Sequence, residues 1–217
     1  MTKSDALRDL VRQMMDPPKN LPFGDVIEAL SGCRVIPFDP EDERDRQVLQ
    51  ALRECAGIVE QKVNEEGIAK KRVNEVGIAI EPYVKEALRE LGFHADTPRT
   101  AGGKKKSAGY PDLEFTDSFG RLCYLECKTY NRKNLDTAQR SFYVSPSDDF
   151  KVTGDAHHFG ISFEIYTDGK TETGDNIYKI AGWKIMDLYS LRVDVKFEFN
   201  SDNKRLYDQN LILAQKG

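Results

Sequence analysis

Asp112, Glu126 and Lys128 are the residues whose types and spacing could do chemistry. Asp112 follows Pro111 in the stretch 109–115, and Glu126-Cys127-Lys128 closes the stretch 121–128 behind the apolar run Leu122-Cys123-Tyr124-Leu125. The spacing predicts two short strands joined by a turn at 116–120. Alternate residues of a strand share a face, so Glu126 and Lys128 point one way while Leu125 and Cys127 anchor the other in a core. If the strands pair antiparallel, the start of one lies beside the end of the other, and Asp112 falls near Glu126 and Lys128. Two carboxylates and a backbone carbonyl, that of Cys127, are hard oxygen ligands suited to Mg²⁺, with water and a substrate phosphate completing the octahedron. Such an ion stabilises charge on a phosphorus under attack and acidifies a bound water. Lys128 can orient or help deprotonate that water, or neutralise the developing charge. The same three residues also fit a surface ion-pair cluster in a hairpin.

The elements around them bear on that choice. Residues 77–91 predict a helix with an apolar stripe of Ile80, Val84, Leu88 and Leu91, ended by Gly92. Glu81 sits beside the stripe. A carboxylate there needs a cation, a metal or a hydrogen bond, unless it lies solvated on the helix flank. The loop 98–108 is rich in Gly and Lys, and Lys104, Lys105 and Lys106 are candidates to clamp phosphates, or simply a solvated loop. Arg132, Lys133, Asn134, Gln139 and Arg140 follow the second strand and include the side-chain types that read guanine and adenine edges. His157-His158 reads as a satisfied pair at a strand start, with an approach to a DNA backbone as the alternative. Trp183 reads as core.

Helices dominate the first ninety residues and strands the rest. Residues 2–15, 23–30 and 41–92 are helical in pattern, the last with joints at Asn64, Gly67, Asn74 and Gly77. Strands are predicted at 93–97, 158–166, 176–188 and 191–200, the last from the alternation of Leu191, Val193, Val195 and Phe197. This order predicts a mixed α/β fold: a central mixed sheet flanked by helices, with residues 1–74 as a helical region for dimerisation or DNA binding and 75–217 as the core domain. The segment 63–69 echoes 73–79 (Val-Asn-Glu-x-Gly-Ile-Ala), too short a duplication to make a solenoid.

Composition sets outer limits. The 217 residues carry 39% hydrophobic and 31% charged side chains with both signs interleaved, so the chain builds a core and is not a disordered polyanion. A net charge of −4 speaks against a generic nucleic-acid coat but leaves room for a basic cleft. The four cysteines form no C-x-x-C pair, and Cys123 and Cys127 read as small buried hydrophobes. No stretch reads as a membrane span or a signal peptide, so a cytoplasmic protein is expected.

Pro111-Asp112, thirteen residues, then Glu126-Cys127-Lys128 resembles the PD-(D/E)xK nuclease superfamily, and the order of helix, strand, Pro-Asp strand and Glu-x-Lys strand is similar too. The segments 141–147, Phe150-Lys151-Val152, Ala156-His157-His158 and 183–188 look like stretches of its type II restriction endonucleases. The resemblance implies Mg²⁺-dependent, sequence-specific hydrolysis of double-stranded DNA by a restriction-endonuclease-like core. It implies Asp112 and Glu126 as metal ligands, Lys128 as the catalytic lysine and Glu81 as a supporting acid. It further implies a homodimer, since two sites cut two strands, and a cognate DNA methyltransferase in the same system. A repair or junction-resolving nuclease, or a catalytically silent DNA-binding protein on the same fold, are the alternatives.

Overall fold

The computed structural model describes residues 3–134, 137, 141–197, 201–206 and 208–214. In chain order the elements are α1 (Lys3–Met15), β1 (Leu21–Pro22), α2 (Phe23–Ser31), β2 (Val35–Ile36), α3 (Glu43–Glu66), β3 (Ile68–Lys70) and α4 (Asn74–Glu90). The strands β4 (His94–Asp96), β5 (Leu113–Thr116), β6 (Leu122–Tyr130), β7 (Ala156–Lys170), β8 (Asn176–Asp187) and β9 (Arg192–Val193) follow, then the one-turn α5 (Asn203–Leu206). The chain divides into two compact units, 1–21 with 192–217 and 22–191. The expected boundary at 74/75 falls inside the larger unit, because α3 and β3 belong to the same core as the strands that follow.

The larger unit is a mixed α/β structure. Its sheet runs β3-β8-β7-β6-β5-β4, with β2 added beside β7. β6 and β7 are parallel; β4, β5 and β6 form an antiparallel meander, and β8 runs antiparallel to β7. Helices α3 and α4 cover one face. Leu52, Cys55 and Val59 of α3 and Ile80, Val84 and Leu88 of α4 share one core with Leu113, Phe115, Leu125, Cys127, Ile161 and Phe163. Fully burying each Leu, Ile or Phe contributes roughly 1.5–3 kcal/mol. Cys123 and Cys127 belong to this core as free thiols, and burial pushes the Cys127 thiol far up.

Local chemistry sets the element ends. Asp42 caps α3, its Oδ1 accepting from Arg44 N at 2.8 Å. Gly67, at φ +72, ends it, and the chain turns into β3 against β8 (Ile68↔Tyr178). The three-residue β3 lies inside the stretch predicted wholly helical. In the echo of that segment, Gly77 lies inside the first turn of α4. The two copies diverge because the first meets the edge of β8, with Asn64 bonded to Ile180 through its side-chain oxygen and nitrogen (2.8 and 3.0 Å), and the second does not.

Two strand expectations need correction. β7 runs on through Asp168-Gly169, where its register with β8 slips, and the turn comes at Thr171–Asp175. Of the strand predicted at 191–200, residues 198–200 lie outside the described residues, and within 191–197 only β9 forms, paired with the two-residue β1 in a separate two-stranded sheet. Beyond β9, Val195 N bonds Pro18 O at 2.9 Å and Phe197 is 46% exposed. No helix among the described residues is long and apolar enough to cross a membrane.

The turn between β5 and β6 is locked by charge. Asp117 Oδ1 accepts from Phe119 N and Arg121 N (2.9 and 2.8 Å), and its Oδ2 pairs with Arg121 Nε at 2.7 Å. Arg121 also reaches Asp45 on α3 at 2.6 Å. Asp45 in turn accepts from Asp39 N at 2.8 Å and faces His157 Nε2 at 3.4 Å. These groups fix the hairpin to the helical layer and so set the height of β6 in the sheet.

Candidate active site

The antiparallel register places Leu113 opposite Leu125, and Asp112 immediately precedes that pair. The side chain of Asp112 turns onto the neighbouring strand: its Oδ2 accepts from Cys127 N at 2.8 Å. That bond takes the amide between the two other charged residues of the motif and fixes the carboxylate beside both. Glu126 is 4% exposed. Its Oε1 accepts from Lys128 Nζ at 2.5 Å, and its Oε2 has no hydrogen-bond partner among the described residues. Lys128 shares the Glu126 face, as the two-residue spacing requires, while Leu125 and Cys127 enter the helical core on the other.

Burial is the first electrostatic effect here. It raises the Glu126 carboxyl above its usual range, the Asp112 charge adds to the rise, and Lys128 offsets part of it. For Lys128 burial acts downward, but attraction to Glu126 outweighs it and the ammonium goes up. The opposite balance of the two partners follows from their depth, since the side chain of Glu126 is 6% exposed and that of Lys128 32%. Glu81 reaches the cluster from α4, whose Gly77 approaches Thr129 of β6. Burial first, then the Asp112 charge, push the Glu81 carboxyl up to about 7, against the pull of Lys128 and Lys151. Glu81 and Glu126 both feel the charges of Asp112 and Lys128.

Beside these residues on the same face lies an aromatic and histidine layer, His158 being the β7 partner of Tyr124. Tyr110 OH and His158 Nδ1 are 2.6 Å apart, the two rings stack at 5.8 Å, and Phe23 packs edge-on against both. His158 is fully buried, so it faces no DNA backbone. Burial holds it neutral, down to about 3. The unfolded state takes up a proton near the ordinary 6.5 while the folded state does not, so this stability is present above about 6.5 and is lost as pH falls toward about 3. Between those values the wild type should lose several kcal/mol more than His158→Gln in denaturant titrations; parallel pH profiles for the two proteins would contradict the neutral histidine.

The DNA-contact candidates are dispersed. Lys105 pairs with Asp96 at 2.7 Å, and Arg132 is held by both oxygens of Glu164 at 2.9 and 3.1 Å. Lys104, Lys106 and Lys133 are exposed. Asn134 ends the 3-10 turn Arg132–Asn134, and Gln139 and Arg140 lie outside the described residues. Trp183 packs against the core and donates to Glu60 at 3.1 Å.

Sequence reading missed one group. Lys151, in the loop before β7, is 2% exposed, and its Nζ has no hydrogen-bond partner among the described residues. The attraction of Asp112, Glu126 and Glu81 works against the burial that lowers this ammonium, which places it in the field of the same cluster. Its flanks, Phe150 and Val152, were the available signal: a lysine between two apolar residues in a polar stretch.

Among the described residues no group of three or more His, Cys, Asp or Glu side chains is arranged to hold a metal ion. The residues present nevertheless fit a hard divalent cation that keeps most of its water. Asp112 and Glu126 supply two carboxylates, and the orphaned, buried Glu126 Oε2 is a negatively polarised atom without a counter-group.

A mixed sheet backed by two helices, with a half-buried Asp just before β5 and a buried Glu and a Lys on β6, is consistent with a restriction-endonuclease-like fold. Residues 17–210 match the Type II restriction enzyme MjaV family, and the chain belongs to that family. It is 37% identical over 227 aligned positions to the Type II restriction enzyme MjaV of Methanocaldococcus jannaschii, covering 98% of this chain and 96% of that protein. No solved structure matches the chain.

Proposed function

We propose that the chain is a type II restriction endonuclease that binds double-stranded DNA and hydrolyses it with Mg²⁺ at Asp112, Glu126 and Lys128. The observation that carries the reading is the bond from Cys127 N to Asp112 Oδ2, which gathers the three side chains at one point of the sheet in a member of a restriction-enzyme family. Type II restriction enzymes generally need a divalent metal; Mg²⁺ is the choice that the all-oxygen donor set favours. Asp112, Glu126 and the Cys127 carbonyl would hold the ion, which supplies charge stabilisation on the phosphoryl group and a more acidic bound water. Lys128, anchored on Glu126, is placed to orient the attacking water and to offset charge as it builds on phosphate oxygens. Glu81 is a further carboxylate that can accept a hydrogen bond from that water. Lys104, Lys106, Lys133 and Arg132 would add phosphate contacts, with Lys105, Asn134, Gln139 and Arg140 completing the DNA surface. A homodimer places one such site on each strand of a symmetric target. A cytoplasmic enzyme with a partner methyltransferase completes the reading.

The test is digestion of plasmid DNA with and without Mg²⁺. Discrete, reproducible fragments that require the metal are expected. Cutting confined to branched or damaged DNA would favour the repair or junction-resolving alternative instead.

A pH dependence follows from the raised carboxyls. Glu81 and Glu126 bind metal or polarise water as anions, and both hold protons to higher pH than ordinary carboxyls. Metal uptake therefore competes with protons, and the half-saturating Mg²⁺ concentration for cleavage should fall as pH rises through about 7. A half-saturating concentration that stays constant across that window would contradict the assignment.

A further inference from the structure

Lys151 has a buried ammonium with no hydrogen-bond partner among the described residues. Long cations are rarely buried unless paired, and an uncompensated one is costly. Its place is nonetheless tightly specified. One residue before, Phe150 O accepts from Ala101 N at 3.1 Å; two before, Asp149 Oδ1 accepts from Gly102 N at 2.9 Å. Two residues after, Thr153 N donates to Tyr124 OH at 2.9 Å, and Tyr124 shares the strand face of Glu126 and Lys128. Phe150 and Val152 are buried on either side. The loop thus carries Lys151 between the lysine-rich loop and β6 and fixes it from both ends.

The charges that act on its head group are those of the active site: Asp112, Glu126 and Glu81 attract, and Lys106 repels. None of the three carboxylates forms an ion pair with it among the described residues, whereas Lys128 already occupies Glu126 Oε1. A buried ammonium without a hydrogen-bond or ion-pair partner among the described residues calls for an anionic oxygen to satisfy it. A phosphodiester is the anion that a nuclease brings to this place.

We propose that Lys151 is a second lysine of the active site, whose Nζ donates a hydrogen bond to a non-bridging oxygen of the scissile phosphate while Lys128 remains on Glu126. This rests on the nuclease reading above. The division of labour is then between a lysine that serves the water and its carboxylate and one that grips the substrate. The buried, unpaired state of Lys151 in the free protein is the cost of having that grip ready before DNA arrives.

The experiment uses the full chain and the cut position read from the fragment ends that the wild type produces with Mg²⁺. Two synthetic duplexes of that sequence are compared, one ordinary and one with a neutral methylphosphonate at the cut, and binding is measured in Ca²⁺ over a range of salt. Lys151→Met should bind the ordinary duplex roughly ten- to a hundred-fold more weakly than wild type. Its slope of log affinity against log salt should be shallower by about 0.9, the signature of one lost phosphate contact. The methylphosphonate should weaken the wild type but make little further difference to Lys151→Met, and Lys151→Arg should recover part of that sensitivity. Lys151→Met should also melt no lower than wild type, because it removes a buried charge that no hydrogen bond or ion pair among the described residues satisfies. Wild-type-like binding and methylphosphonate sensitivity in Lys151→Met would overturn the proposal, as would a Met variant that fails to fold, since the ammonium would then be structural. A wild type that cuts no DNA at all would sink the nuclease reading, and this inference with it.

Discussion

Asp112→Ala and Lys128→Ala should each cut plasmid DNA at least about a thousand-fold more slowly than wild type in saturating Mg²⁺. The two variants are expected to fail for different reasons. Asp112→Ala removes a carboxylate from the cluster and leaves Cys127 N without its acceptor. That unsatisfied amide costs about 1–3 kcal/mol of stability, well short of unfolding a domain of this size. Asp112→Asn, which keeps an oxygen for the amide, should be as inactive and more stable. Lys128→Ala takes the only ion-pair partner seen for Glu126 among the described residues. Burial already favours the neutral form of that carboxyl, so Glu126 takes up a proton instead of standing as a bare buried charge, and the fold survives. Circular dichroism and a denaturation midpoint on the same preparations separate lost chemistry from lost structure. Either variant retaining near-wild-type cutting would remove its residue from the site.

The largest stability effect is expected at Arg121, well away from the chemistry. Arg121 bridges Asp117 in the β5–β6 turn and Asp45 on α3, whose side chains are 0% and 4% exposed. Arg121→Ala strands both carboxylates, and breaking a buried pair in this way costs about 3–5 kcal/mol. Replacement by Lys should recover only part of this, because an ammonium cannot reproduce the two-sided guanidinium contact. The loss is to be read as a fall in the denaturant midpoint with an unchanged slope. A loss below about 1 kcal/mol would mean that the hairpin is held by its apolar contacts alone.

The hairpin that carries Asp112, Glu126 and Lys128 was legible because strand alternation is local information. Pro111-Asp112 at the start of one strand and Glu126-Cys127-Lys128 at the end of the next leave little freedom once the two pair, and Glu81 could be placed from the stripe of its own helix. What escaped depends on partners far along the chain. β3 exists because β8 offers it an edge, so two near-identical segments ten residues apart became a strand entry and a helix interior. The alternation at 191–197 is regular, yet the strand it pairs with, β1, is only two residues long, so it gives only β9. Lys151 sits in a loop that no periodicity describes, and the bonds that fix that loop run from Phe150, Asp149 and Thr153 to Ala101, Gly102 and Tyr124, far away in the chain. The Asp45–Arg121–Asp117 bridge is likewise invisible in a sequence where each member looks like an ordinary surface charge.

The claim on which the rest depends is that a divalent ion binds at Asp112 and Glu126 when DNA is engaged. Iron-mediated backbone scission tests it without relying on turnover. With Fe²⁺ in place of Mg²⁺, ascorbate and peroxide should cut the polypeptide of the DNA complex beside the bound ion. Fragments ending near residue 112 and near residues 126–128 are predicted, suppressed by excess Mg²⁺ and absent from Asp112→Ala. Scission elsewhere in the chain, or an identical pattern in Asp112→Ala, would contradict the site.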